Sequence, residues 1–378
     1  MMAKTIKRCF FWAHLFTGVS AGAVIFCMAL SGVLLTYERQ IVEFSEMRYT
    51  VPVHRTAQRL DTDSVVAIMQ TLHPDQPHIY VRWVNRDGAA IAAWAGPFSY
   101  LLHPYTGAIL REGEGLISEF FRAVTDFHRY VSFTGDYRVV GKNITAYANL
   151  VLVFLLISGL YLWLPKRLSK RAVKHHLLLS KHANLHQRRH QWHLVFGIWA
   201  LPGLLIIALT ATIFHFDWAN RALYGAFGEA VPPPPLRPTV QHLTPPAIPY
   251  ESLYAKAREQ ASAYHYNNWY SIWLEIGAYK DEARFYIDQS IGHRQELAYS
   301  LYFDTQTGAV SKVLRKEDWS PGGQAWGTAR FLHTGEYFGF IGQTLAGGLS
   351  LLACILVYTG IVLAWRRLIA KPKSNKPG

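Results

Sequence analysis

The chain has 378 residues, 51% of them apolar and 14% aromatic, a formal charge of +13 and three cysteines. The apolar residues are bunched into long runs, which excludes a single soluble globule, and Cys9, Cys27 and Cys354 all fall in or beside those runs, which excludes a disulfide scaffold. The positive charge would suit nucleic acid, but it is segregated in a way that argues for a membrane partner instead.

In chain order the apolar runs occupy 10–37, 144–165, 193–216 and 340–365. Each reaches the roughly 20 residues needed to cross a hydrocarbon core of about 30 Å as a helix. The first follows Lys4, Lys7 and Arg8 like a signal peptide, but it is about twice as long as a signal h-region, so it reads as an uncleaved anchor. The acid-free segments are the N-terminal tail, a basic connection at 166–192 and a tail at 366–378; they hold 16 of the 38 Lys and Arg, leaving about −3 elsewhere. Short basic segments beside helix ends stay in the cytoplasm, so both termini are expected inside, with two long segments, 38–143 and 217–339, outside.

The first outside segment reads as a small α+β domain. Asp61 can cap a helix through Leu72, strands follow at 78–84 and 89–95, and a last pair brackets Thr106-Gly107. The second leaves its membrane run through a proline-rich spacer beginning at Val231-Pro232-Pro233 and repeats that order: a helix at 250–263, strands at 269–276 and 283–288, and a pair around Thr307-Gly308. Aromatic residues of this segment, among them Tyr264, Tyr266, Trp269, Tyr270, Trp273 and Tyr279, are either strand core or a surface for an organic ligand, for which Tyr266, Trp269 and Trp273 are the candidates.

The repeat extends into the membrane runs. His14-Leu15 with Gly18 lies over His193-Leu194 with Gly197, and the match continues ungapped through Ala29-Leu30-Ser31 over Ala208-Leu209-Thr210. Ser158-Gly159 lies over Thr359-Gly360, and both hairpins share Thr-Gly-Ala. These matches predict a parallel internal duplication and a four-helix bundle in which equivalent residues face each other.

Most of the 17 histidines read as solvated or interfacial, including His175, His176, His182, His186 and His190 of the basic connection. Four do not. His14 and His193 head the first and third membrane runs, while His128 and His333 stand just before the second and fourth. Neutral imidazoles on facing helices can hold haem iron from both sides, and no Cys-x-x-Cys-His motif is present for covalent attachment. Zinc, copper or a proton path would use the same residues, but no carboxylate or thiolate accompanies them in the helices. Gly18, Gly22, Gly197 and Gly203 would let a macrocycle approach the backbone, Arg8, Arg129, Lys142 and Arg189 are candidate propionate partners, and His190 and His215 are rival ligands. One irregularity stands: aligning Thr134-Gly135 with Thr334-Gly335 puts Phe133 opposite His333, with His128 about a turn earlier.

The chain resembles the PepSY-associated transmembrane proteins, and within them the bacterial inner-membrane ferric-siderophore reductases of the ferrioxamine type. The resemblance rests on His14-Leu-Phe-Thr-Gly18, Phe127-His128-Arg129 with Gly135 and Gly141, His193-Leu-Val-Phe-Gly197, Leu332-His333-Thr-Gly335 with Gly339 and Gly342, Thr359-Gly360 and the two Thr-Gly-Ala hairpins. It implies two periplasmic PepSY-like domains over a four-helix core with two b-type haems. His14, His193, His128 and His333 would then be the axial ligands. It further implies that a ferric siderophore, of hydroxamate type, is reduced to release Fe(II), with electrons from a cytoplasmic or quinol donor. A PepSY-domain sensor or peptidase regulator without redox activity is the alternative, and it offers no reason for matched histidines.

Overall fold

The computed structural model describes residues 2–53, 58–165, 174, 176–179, 184–233, 245–263, 268–278, 281–292 and 294–369. His54, His175, His182, His242, His265, His293, Tyr264, Tyr266, Tyr279, the proline-rich spacer from 234 to 244 and much of the 166–192 connection lie outside the described residues. The elements are α1 (Met2–Leu35), α2 (Glu38–Glu46), α3 (Thr62–Leu72), β1 (Ile79–Val84), β2 (Ile91–Ala95), β3 (Phe98–Leu102), β4 (Ile109–Glu112), α4 (Leu116–Tyr130) and α5 (Arg138–Trp163). They continue as α6 (Leu185–His215), α7 (Asp217–Gly225), α8 (Tyr250–Ala263), β5 (Ser271–Ile276), β6 (Glu282–Asp288), β7 (Ala298–Asp304), β8 (Val310–Arg315), α9 (Pro321–Thr334) and α10 (Gly339–Leu368). The chain divides into a helical unit, 1–36 with 121–223 and 328–378, and a sheet unit, 37–120 with 224–327.

Four helices of the helical unit, α1, α5, α6 and α10, are long and apolar enough to cross a membrane. Each runs past its apolar stretch. α6 begins at Leu185, eight residues before His193, because Asn184 accepts a hydrogen bond from the Gln187 amide while Gln187 reaches back to the Asn184 amide, a closed capping box. His186, Arg188, Arg189 and His190 therefore belong to a membrane-length helix rather than to a separate interfacial one.

α1 neighbours α5 and α10, and α6 neighbours the same two, so α1 and α6 stand diagonally across the bundle. Small buried residues, Ala200, Ala208 and Ala353, let the backbones approach around Leu156 and Leu204. Gly203 serves this packing: a Cβ there would strike Leu349. Mid-bundle, the Asn149 side-chain amide donates to the Ala208 carbonyl at 3.0 Å and to the Thr212 hydroxyl at 3.0 Å, so a buried amide is hydrogen-bonded across two helices.

In the sheet unit the two segments read from sequence as two small domains build one antiparallel sheet of eight strands, in the order β4-β3-β2-β1-β5-β6-β7-β8. The join is β1 with β5, paired from Ile79↔Ile276 to Val84↔Ser271. Strand alternation sorts the residues: Ile79, Val81, Ile272, Leu274, Phe285, Leu301 and Phe303 point to one face, where they are buried with Val65 and Met69 of α3 and Leu253 and Tyr254 of α8. The two covering helices cap each other. Asp63 accepts from the Tyr250 and Glu251 amides at 2.8 and 2.9 Å, and Glu251 accepts from the Thr62 amide at 2.7 Å. Each carboxylate thus satisfies orphan donors at the other helix's N-terminus.

The other face carries Tyr80, Arg82, Trp94, Trp273, Glu275 and Arg284. Here α2 is tied down by Glu43, which accepts from Arg82 at 2.8 Å. Desolvation raises the Glu43 carboxyl, but Arg82, the Tyr270 hydroxyl and Arg86 together hold it below its ordinary value.

Candidate functional site

The bundle brings the four singled-out histidines into two facing pairs. His14 of α1 and His193 of α6 reach across the diagonal, with ring centroids 6.4 Å apart and planes at 88°. His128, in the last turn of α4, and His333, in the last turn of α9, stand 6.5 Å apart at 65°. Two imidazoles gripping one metal from opposite sides, each nitrogen about 2 Å from it and each centroid about 1.1 Å behind its nitrogen, would have centroids about 6.3 Å apart. Both pairs meet that spacing.

The slipped register of the second pair is absorbed by two unlike turns. After α9 the chain reverses at once through Gly335, whose φ of 77° is the left-handed conformation that glycine adopts freely. After α4 it spends longer, placing Val131 at φ 52° and Ser132 at φ 58° before the short helical turn Gly135–Tyr137. Each turn is then clamped by a glycine of the following helix. A Cβ on Gly141 would strike the Tyr130 carbonyl, and one on Gly342 would strike the Gly335 carbonyl.

Every histidine of the two pairs has its Nδ1 engaged by a hydroxyl from a different helix. His14 Nδ1 lies 2.9 Å from Ser158 Oγ of α5, and His193 Nδ1 lies 3.0 Å from Thr359 Oγ1 of α10. His128 Nδ1 lies 2.9 Å from Ser31 Oγ of α1, and His333 Nδ1 lies 3.2 Å from Thr210 Oγ1 of α6 and 3.0 Å from the Ile207 carbonyl. In all four rings Nε2 is the nitrogen these contacts leave for a ligand. Glycine makes room beside them: a Cβ on Gly159 would stand 3.4 Å from His14, and one on Gly360 would stand 3.2 Å from His193.

Around the first pair lies a cavity of about 1290 Å³, walled by Leu152, Leu155, Leu201 and Val357 and rimmed by Lys4, Lys7, Arg8, Arg366 and Arg367. Gly18, Gly22 and Gly197 line it, and so do His190 and Arg8. Beside the second pair stands His215, whose Nδ1 is buried without a hydrogen-bond partner, with Lys142, His333 and Arg129 nearby. Arg189 lies over the Tyr358 ring at 5.8 Å and Arg129 over the Tyr130 ring at 5.2 Å.

Among the described residues no three His, Cys, Asp or Glu side chains gather as a metal cluster. Two nitrogens do not complete the shell of a bare zinc ion, which takes four ligands; they do suffice for an iron whose other ligands come from a macrocycle. The facing pairs and the apolar cavity with its cationic rim fit haem.

A model of the PepSY-associated TM region matches residues 11–367. The chain belongs to the PepSY-associated transmembrane family. A search of curated proteins returns no match. With four membrane-length helices as well, this family member is a multi-pass membrane protein.

Of the aromatic candidates, Trp273 stacks on Trp94 at 5.3 Å and 13° on the sheet face opposite α3 and α8, with Arg82 over its ring at 5.4 Å. Trp269 packs instead against the core on the helix-covered side. Residue-type reasoning did not single out the four hydroxyls, yet their signal was present. Ser31 repeats as Thr210 and Ser158-Gly159 as Thr359-Gly360, at matched positions of the two halves.

Proposed function

We propose that this protein is a dihaem electron carrier of the bacterial inner membrane that reduces an Fe(III)-siderophore to Fe(II) on the periplasmic side. The observation that carries this reading is the gathering of four helix-borne histidines into two pairs at iron-bridging separation, each with Nδ1 engaged. His14 and His193 would hold one b-type haem and His128 and His333 the other, each supplying a one-electron carrier when bound. His14 and Ser31 are 17 residues apart on α1, as are His193 and Thr210 on α6. At 1.5 Å per residue that separates the two sites by about 25 Å, close to the thickness of a hydrocarbon core.

The basic segments support a cytoplasmic position for both termini and the His14–His193 site, where a cytoplasmic or quinol donor would deliver electrons. The His128–His333 site then serves the periplasmic side. Addition of one electron converts Fe(III) to Fe(II), which oxygen donors hold less tightly, and the metal leaves the chelator. A hydroxamate-type siderophore is the expected substrate, with Trp273 and its stacked partner Trp94 as a candidate contact surface.

Protein purified from haem-replete cells should be red, contain about two extractable haems per chain, and show reduced b-type bands on adding dithionite that a ferric siderophore then reoxidises. A colourless protein sinks the dihaem reading. A red protein whose reduced bands persist with every ferric siderophore sinks the substrate assignment.

A further inference from the structure

We infer that Ser31, Ser158, Thr210 and Thr359 are positioning residues that set the ring azimuth of the four histidines, that Ser31, Thr210 and Thr359 also lock the tautomer, and that together they tune the two redox centres. The inference rests on the dihaem reading above. Its basis is where each hydroxyl sends its single proton. Thr359 donates to the Ile355 carbonyl of its own helix at 2.8 Å, Thr210 to Ile206 at 2.8 Å and Ser31 to Cys27 at 2.7 Å. An oxygen whose hydrogen is committed in this way faces the histidine with lone pairs only, so Nδ1 carries the proton and donates it. At His333 the conclusion is independent of the hydroxyl, because the Ile207 carbonyl only accepts. The Nδ1–H tautomer leaves a lone pair on Nε2, the form that binds metal.

The hydroxyls also set direction. None sits on the helix of the histidine it holds, so ring azimuth follows from packing between helices. α1 and α6 each carry one ligand and, 17 residues on, the hydroxyl for a ligand of the other pair. Ser158 is the exception in strength: its own-helix carbonyl, Leu155, is 3.4 Å away, so its proton is less committed and His14 is the least firmly held of the four.

Near-perpendicular ligand planes in the first pair predict a strongly anisotropic low-spin ferric EPR signal, distinct from that of the second pair with its smaller angle. In Thr359→Val the His193 N–H loses its acceptor, so the imidazole becomes a weaker electron donor. The midpoint potential of that haem alone should rise and its EPR signal should change, while the second haem reports an intact fold. Thr359→Ser should restore both. Haem that is bound in Thr359→Val with unchanged potential and signal overturns the positioning role while leaving the dihaem reading intact. Loss of both haems together would make Thr359 a bundle-packing residue and also overturn it. Protein without haem before any substitution fails the underlying reading instead.

Discussion

The two histidine pairs reach nearly the same separation by different routes. His14 and His193 sit within membrane-length helices at equivalent points of an ungapped 18-residue match, so helical periodicity and diagonal placement suffice to bring them together. His128 and His333 sit at the ends of shorter helices, followed by turns of unequal length, and meet because Val131 and Ser132 take up the extra residues that Gly335 does not need. A pair built into continuous helices is set by residue spacing and helix packing, whereas a pair built at helix ends depends also on the turns that follow.

The largest expected effect tests whether the pairs are separate sites. His193→Ala and His333→Ala should each remove one of two haems and leave the other, measured as pyridine-haemochrome stoichiometry; loss of neither refutes the pairing. Next comes the turn. Gly335→Ala adds a Cβ directed at the Gly342 carbonyl at a φ of 77°, and should destabilise the His128–His333 site by about 2–4 kcal/mol, seen as selective loss of that haem on mild heating.

A finer contrast compares ring clearance. A Cβ at Gly360 would stand 3.2 Å from His193, whereas one at Gly32 would stand 3.8 Å from His128, an ordinary contact. Gly360→Ala should weaken haem retention about tenfold and Gly32→Ala should leave it nearly unchanged, as read by haem transfer to apomyoglobin. Smallest is Ser132→Gly, which relieves a left-handed non-glycine residue and should stabilise the helical unit by about 1 kcal/mol in thermal unfolding. A drop in stability would show that the Ser132 side chain contributes more than its backbone strain costs.

Much of this was legible in the chain because the signals are local or periodic. Apolar runs located α1, α5, α6 and α10, Asp61 marked the start of α3, and the Thr-Gly-Ala segments marked hairpins whose glycines adopt φ of 73° and 69°. The sharing of one sheet was not legible. Strand pattern says which face of β1 and β5 is apolar but not which edge pairs with which, and the β1–β5 join is a contact between residues far apart in sequence. Trp269 and Trp273 looked alike for the same reason; only the observed packing puts one against the core and the other on the opposite face.

What the sequence by itself determined is axial: the positions of the membrane-length helices, the 17-residue interval that spaces the two proposed sites, and the repetition of histidine, hydroxyl and glycine at matched positions. Those follow from a fixed rise per residue, which needs no partner. Tertiary structure alone decided the lateral facts: that α1 faces α6, that His128 finds His333 across a slipped register, and that each Nδ1 meets a hydroxyl on another helix. These depend on how helices pack and how turns close, and a side chain's partner on a neighbouring helix has no fixed offset along the chain.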